Sequence, residues 1–150
     1  MDLRVDLHLH TTASDGRWPP EQLVDEVRRA GIAFFAVTDH DSLGSLAETA
    51  DLVRGSGLRF LPGVELSSQV NGQIYHLLAY GFDPENKDLR ELASSNNARL
   101  ADSGDGAIRL LVDLGQPVSL EEYACYSWDR RRGGWKGPRS DGNRSHSRMI

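Results

Sequence analysis

Residues 32–38 read IAFFAVT and are followed directly by Asp39 and His40. A short, continuous apolar run is what a strand covered on both faces requires, and here it ends on two residues that need water or a partner. Upstream, Pro19-Pro20 introduces Glu21 to Ala30 (EQLVDEVRRA), in which Leu23, Val24 and Val27 share one helical face and Gly31 supplies the stop. Further upstream, Leu3 to His10 (LRVDLHLH) alternates with the period of two expected of a strand that finishes on a polar site. Downstream, Leu43 to Arg54 reads as a helix, Gly55 to Gly57 breaks it, and Leu58 opens a strand that runs to Glu65. The alternation strand–helix–strand–helix–strand predicts an α/β fold with parallel pairing and right-handed crossovers.

After this unit, Val64 to Val70 and Gln73 to Tyr80 flank Asn71-Gly72, the strongest short-range signal for a hairpin. A long helix is predicted around Leu89 to Leu114, interrupted near Gly104 and Gly106. Ser119 with Glu122 has the form of a capping box for one more short helical segment.

The chain has 150 residues, consistent with one domain on a prior of roughly 100–200 residues each. Its 17 Lys plus Arg against 22 Asp plus Glu give a formal net charge of −5. A coat for duplex nucleic acid should be basic, so that class is disfavoured. The charge is unevenly spread: residues 127–150 carry seven basic groups against two acids, with four Gly and four Ser. Such composition buries too little apolar surface to offset ordering entropy. The expected organisation is therefore a domain over 1–126 and a basic, Gly/Ser/Arg-rich tail over 127–150. The lone Cys125 cannot close an internal disulfide, and neither a signal peptide nor an apolar run of roughly 18 residues is found. A cytoplasmic location away from membranes is the expectation.

Four of the five histidines fall on or at the ends of predicted strands. His8 and His10 are two apart on a strand, so both leave the same face and can chelate one ion. His40 closes the second strand, Glu65 closes the third, and His76 lies in the strand after the hairpin. Asp15 sits in the Ser-Asp-Gly turn after the first strand. A lone buried histidine is usually just a hydrogen-bonded core residue. However, the carboxyl ends of parallel strands share one rim, where active sites sit. Three successive strands delivering imidazole or carboxylate groups to that rim point to a metal site, because clustered polar groups destabilise a fold unless something compensates them. Asp39 either orients a neighbouring ligand or caps the following segment. Asp6 is open to the same two kinds of reading, as a supporting carboxylate or a surface residue.

The stretches DLHLHTTASDG (6–16), VTDHDSLGS (37–45), GVELS (63–67) and HLLAYGFD (76–83) together resemble the PHP (polymerase and histidinol phosphatase) family of metal-dependent phosphoesterases. The resemblance covers about residues 3–114 and extends to RGGWK (132–136). Its SDG, TDHD and YGFD segments look most like the small stand-alone branch often called TrpH-like. It implies the N-terminal part of a distorted seven-stranded barrel, incomplete here, with two or three divalent ions at the C-terminal rim. By that resemblance His8 and His10 would hold a first metal, Glu65 would bridge first and second, His76 would join the second, and Asp15 with His40 would hold a third. Mn, Fe or Zn suits this imidazole and carboxylate set better than Ca or Mg. Two such ions roughly 3.5–4 Å apart can generate hydroxide near neutral pH and clamp a phosphate, so no protein nucleophile is needed. Arg17 beside the SDG turn, and Arg132 or Lys136 near the Gly-Gly pair, are the expected contacts for substrate phosphate.

The family also draws ligands from its second half, a lone His and then an Asp-x-His pair, where this chain reads GPRSDGNRSHSRMI (137–150). His146 is a tail residue. The expectation is thus an N-terminal portion, truncated or frameshifted near residue 137, with a partial metal site. The first functional expectation is a hydrolase acting on a small phosphorylated metabolite, a nucleotide of the 3′,5′-bisphosphate type or an oligonucleotide end. The alternative is a non-catalytic metal-binding or interaction domain, or an inactive fragment. A third reading, nucleic-acid binding by the basic tail, needs a groove or aromatic stacking platforms, for which Trp128 and Trp135 among the arginines are the candidates. Nothing in the sequence sets the oligomeric state.

Overall fold

The apolar run at 32–38 becomes an inner strand of the sheet. The computed structural model describes residues 3–119, in the order β1 (Val5–Leu9), α1 (Pro20–Arg29), β2 (Phe34–Val37), α2 (Leu46–Val53), β3 (Arg59–Val70), β4 (Gln73–Tyr80) and α3 (Lys87–Asp113). The four strands form one sheet in sequence order. β1 with β2 and β2 with β3 are parallel, and β3 with β4 is antiparallel.

Phe35, Ala36 and Val37 are fully buried, and Leu23, Val24 and Val27 of α1 with Leu46 and Val53 of α2 complete the core around them. The three apolar positions of α1 thus face inward as their spacing requires. Asn71 and Gly72 both take positive φ, 51° and 80°, in the two-residue turn whose twist matches the flanking strands. The sheet is strongly curled. Tyr80 of β4 donates its hydroxyl to Leu7 O of β1 at 2.9 Å, joining the two outer strands across the concave side. This is half-barrel geometry, and it gathers the upper ends of all four strands.

Three boundaries differ from the sequence reading. α2 begins at Leu46 rather than Leu43, because residues 40–45 are a loop, buried at His40, Asp41, Ser42 and Ser45, in which Asp41 takes a positive φ of 44° that no helix accommodates. β3 is one twelve-residue strand that carries Glu65 mid-strand rather than at its end. α3 runs unbroken through Gly104 and Gly106. Each glycine costs roughly 1 kcal/mol relative to Ala, which a 27-residue helix capped by the Asn86 side chain on Leu89 N–H absorbs. The expected segment after Ser119, the boundary at 126 and the basic tail lie outside the described residues.

Candidate metal centre

Each strand delivers its polar residue to the concave rim for a local reason. The β1–β2 register is irregular between Asp6 and Leu9, and Asp6 Oδ1 accepts the His8 N–H at 3.1 Å. A bulge of this kind re-aims side chains next to a site. Asp6 therefore braces the strand beneath His8. The turn that returns Asp15 to the rim depends on Gly16: a Cβ there would meet His10 O at 2.2 Å. Gly63 has the matching role between strands, where a Cβ would lie 2.8 Å from Thr38 Cγ2 and 2.9 Å from Val37 O.

The result is an arc of four imidazoles around one carboxylate. The His8 and His10 rings stack with centroids 5.1 Å apart, and His10–His40 and His40–His76 meet edge-on at 4.7 Å each. Glu65 is buried beneath them. Its Oε2 lies 2.8 Å from His8 Nε2, 3.1 Å from His10 Nε2 and 3.8 Å from His40 Nε2, while Oε1 lies 2.8 Å from His76 Nδ1. The second nitrogen of His10, Nδ1, lies 2.7 Å from Asp15 Oδ1, and His40 Nε2 is 3.8 Å from Asp15 Oδ2.

Three sets of donor atoms, each within 4.8 Å of one another, can be drawn from these side chains: His8, His10 and Glu65; His10, Asp15 and His40; His40, Glu65 and His76. All six residues singled out in the sequence converge. The division differs in one respect from the resemblance, since His10 and His40 each belong to two sets. The donor set fits a divalent cation of the borderline kind. Both nitrogens of His10 face carboxylates, an arrangement that only an imidazolium proton or a metal ion can satisfy.

The electrostatics follow from these contacts. The hydrogen bond to Asp15 raises the His10 pKa above its ordinary value, against the opposing effect of burial. The same bond holds Asp15 below the usual carboxylate range. Burial pushes Glu65 up, but hydrogen bonds from His8 and His76 and the neighbouring imidazole charge outweigh it and leave it lowered. Burial lowers the His40 pKa, which favours the neutral imidazole.

Asp39 engages backbone and hydroxyl donors of the described residues with its carboxylate. It is fully buried and accepts from Thr11 N–H and Thr11 Oγ1, both at 2.7 Å, from Ser14 Oγ at 2.8 Å, and from Ser45 Oγ. It therefore fastens the loop carrying Asp15 to the residue that precedes α2. Arg17 is exposed on that loop, and Arg132 and Lys136 fall outside the described residues. Sequence reasoning missed Tyr80, whose hydroxyl fixes the curl, and Asp41, although Asp41 sits inside the TDHD stretch.

A family model described as the PHP domain matches residues 6–110. A 3′,5′-nucleoside bisphosphate phosphatase of Chromobacterium violaceum is 35% identical over 141 residues, spanning 83% of this chain and 49% of that protein. A 5′-3′ exoribonuclease of Haemophilus influenzae is 32% identical over 98 residues, spanning 65% of this chain and 36% of the relative. Among solved structures, an amidohydrolase of Chromobacterium violaceum with bound sulfate superposes with a TM-score of 0.73 at 28% identity, over 89% of this chain and 46% of that one. A protein of Bifidobacterium adolescentis has the same fold, with a TM-score of 0.74 at 24% identity over 89% of this chain and 47% of its own. The chain spans about half the length, or less, of these relatives.

Proposed function

The chain belongs to the PHP domain family, and on that premise we propose that it is the N-terminal portion of a metal-dependent phosphoesterase acting on a small phosphorylated metabolite, a nucleotide of the 3′,5′-bisphosphate type or an oligonucleotide end. The observation that carries this reading is the convergence of His8, His10, Asp15, His40, Glu65 and His76 on one rim. His8 and His10 with Glu65 would hold one ion, His76 with Glu65 a second, and Asp15 with His40 a third. Two such ions, when bound, supply an activated water and neutralise phosphate charge.

The chain's own groups do the rest. Glu65 sits between two donor sets and fixes their separation. Asp15 orients His10 through Nδ1, leaving Nε2 toward the rim. Arg17 would meet the phosphate from the loop above. The amidohydrolase's bound sulfate, an anion of phosphate's shape and charge, supports an anion site on this fold, and the phosphatase and exoribonuclease relatives support a nucleotide substrate.

The test is phosphate release from 3′,5′-bisphosphate nucleotides, nucleoside monophosphates and 5′-phosphorylated oligonucleotides with added Mn²⁺. His8→Ala and Glu65→Gln should reduce release by more than the roughly 10–100-fold typical of losing a supporting partner. Release that survives both substitutions unchanged would assign the activity elsewhere. A second reading, a non-catalytic metal-binding unit, is favoured by the openness of the rim: the His8 and His76 side chains are 51% and 45% exposed. It predicts that Mn²⁺ is retained on dialysis while every substrate in the panel remains intact.

A further inference from the structure

We propose that Asp41 is a positioning residue that sets where Glu65 stands in the rim, an inference that rests on the reading of Glu65 as a metal ligand. The ladder between β2 and β3 ends at Val37 with Pro62 and touches again only at the isolated bridge between His40 and Glu65. That bridge is made by the Glu65 N–H on Asp39 O at 3.2 Å and by Asp41, which then replaces the missing strand beyond it. The Asp41 peptide N–H donates to Glu65 O at 2.9 Å, and its Oδ1 accepts the Ser67 N–H at 2.9 Å. One residue thus pairs with β3 at the ligand itself and two residues beyond it.

A third partner closes the clamp. Asn96 of α3 donates through Nδ2 to Asp41 Oδ1 and to Ser67 O, both at 2.8 Å. Because Asp41 directly follows His40, the same bonds set the span between the His40 and Glu65 donors.

The arrangement is costly, which argues that its geometry matters. Asp41 is a non-glycine residue at positive φ, worth roughly 1–3 kcal/mol of strain where the surroundings impose it. Asp41 is 2% exposed, and its Oδ2 is buried without a hydrogen-bond partner among the described residues, a burial that an apolar or smaller residue would avoid.

The experiment titrates Mn²⁺ into the full 150-residue chain by calorimetry and records the visible spectrum of its Co²⁺ form. Asp41→Gly keeps the peptide N–H and relieves the positive φ but removes the acceptor, so affinity should fall about 10–100-fold and the Co²⁺ bands should shift. Asp41→Asn keeps an acceptor and tolerates positive φ, so it should stay within about threefold of the parent. A merely structural role predicts a lower melting temperature with affinity and spectrum unchanged well below it, and that result overturns the proposal. Glu65→Gln separates the two layers. If it leaves Mn²⁺ binding untouched, the ligand reading fails; if it abolishes binding while Asp41→Gly binds like the parent, only the positioning role fails. Should Asp41→Gly not fold, Asn96→Ala removes the α3 leg alone. A loss of about threefold or more supports the clamp, and parental affinity overturns it.

Discussion

At His10 the proton and the metal compete for the same nitrogens. An imidazolium has no lone pair to give, so ion uptake must expel whatever proton His10 carries. The bond to Asp15 raises the His10 pKa above the ordinary imidazole value, so protonation persists to higher pH than for a free histidine. Mn²⁺ affinity should therefore fall as pH drops, and the fall should begin above the usual imidazole range. Asp15→Asn, which removes the negative partner, should move its onset to lower pH in calorimetric titrations. Asp39 makes a different prediction. Asp39→Ala strands the Thr11 N–H and three hydroxyls inside the protein, and should cost about 3 kcal/mol or more in urea unfolding. The convergence of the candidate ligands was legible because imidazoles and carboxylates recurred at or near strand ends, with His8 and His10 in step with a strand's period. The partners of Asp39 and Asp41 were not. Apart from Ser45, these lie 24 to 55 positions away, and no local pattern encodes such a distance.

Among the elements, α1 and β2 were the plainest, since apolar spacing alone determined which faces they bury. The ends of α2 and α3 were harder. The sequence from Leu43 to Ser45 has helical character, yet the site claims it as loop, with Ser45 bound to Asp39. In α3 the reverse held: glycines that usually interrupt a helix sit inside one. Gly106 has no atom within 4 Å of the place where a Cβ would stand. Gly106→Ala should stabilise the protein by about 0.5–1 kcal/mol in urea unfolding, through the entropy lost from the unfolded chain. The opposite sign is expected at the helix start, where Asn86→Ala removes the cap on Leu89 and should cost about 1 kcal/mol.

For the molecule as a whole, the strand–helix alternation and its parallel start were readable from the residues themselves, whereas the curl was expected only from the family resemblance. It depends on Tyr80 reaching Leu7, 73 residues away. Because the candidate ligands come from β1, β3, β4, the turn after β1 and the loop after β2, any ion they bind would tie the sheet together. Binding to the folded form alone should raise stability by about 2.7 kcal/mol at a hundredfold excess over Kd. The melting temperature should thus rise with Mn²⁺ concentration and return on adding a chelator. The six ligand side chains also lie between residues 8 and 76, whereas the Asn96 leg of the clamp comes later. During synthesis at roughly 5–20 residues per second, every donor atom leaves the ribosome before the group that locks Asp41 and Ser67 together. The candidate ligands of a nascent chain are thus exposed before α3 is available to dock against β3.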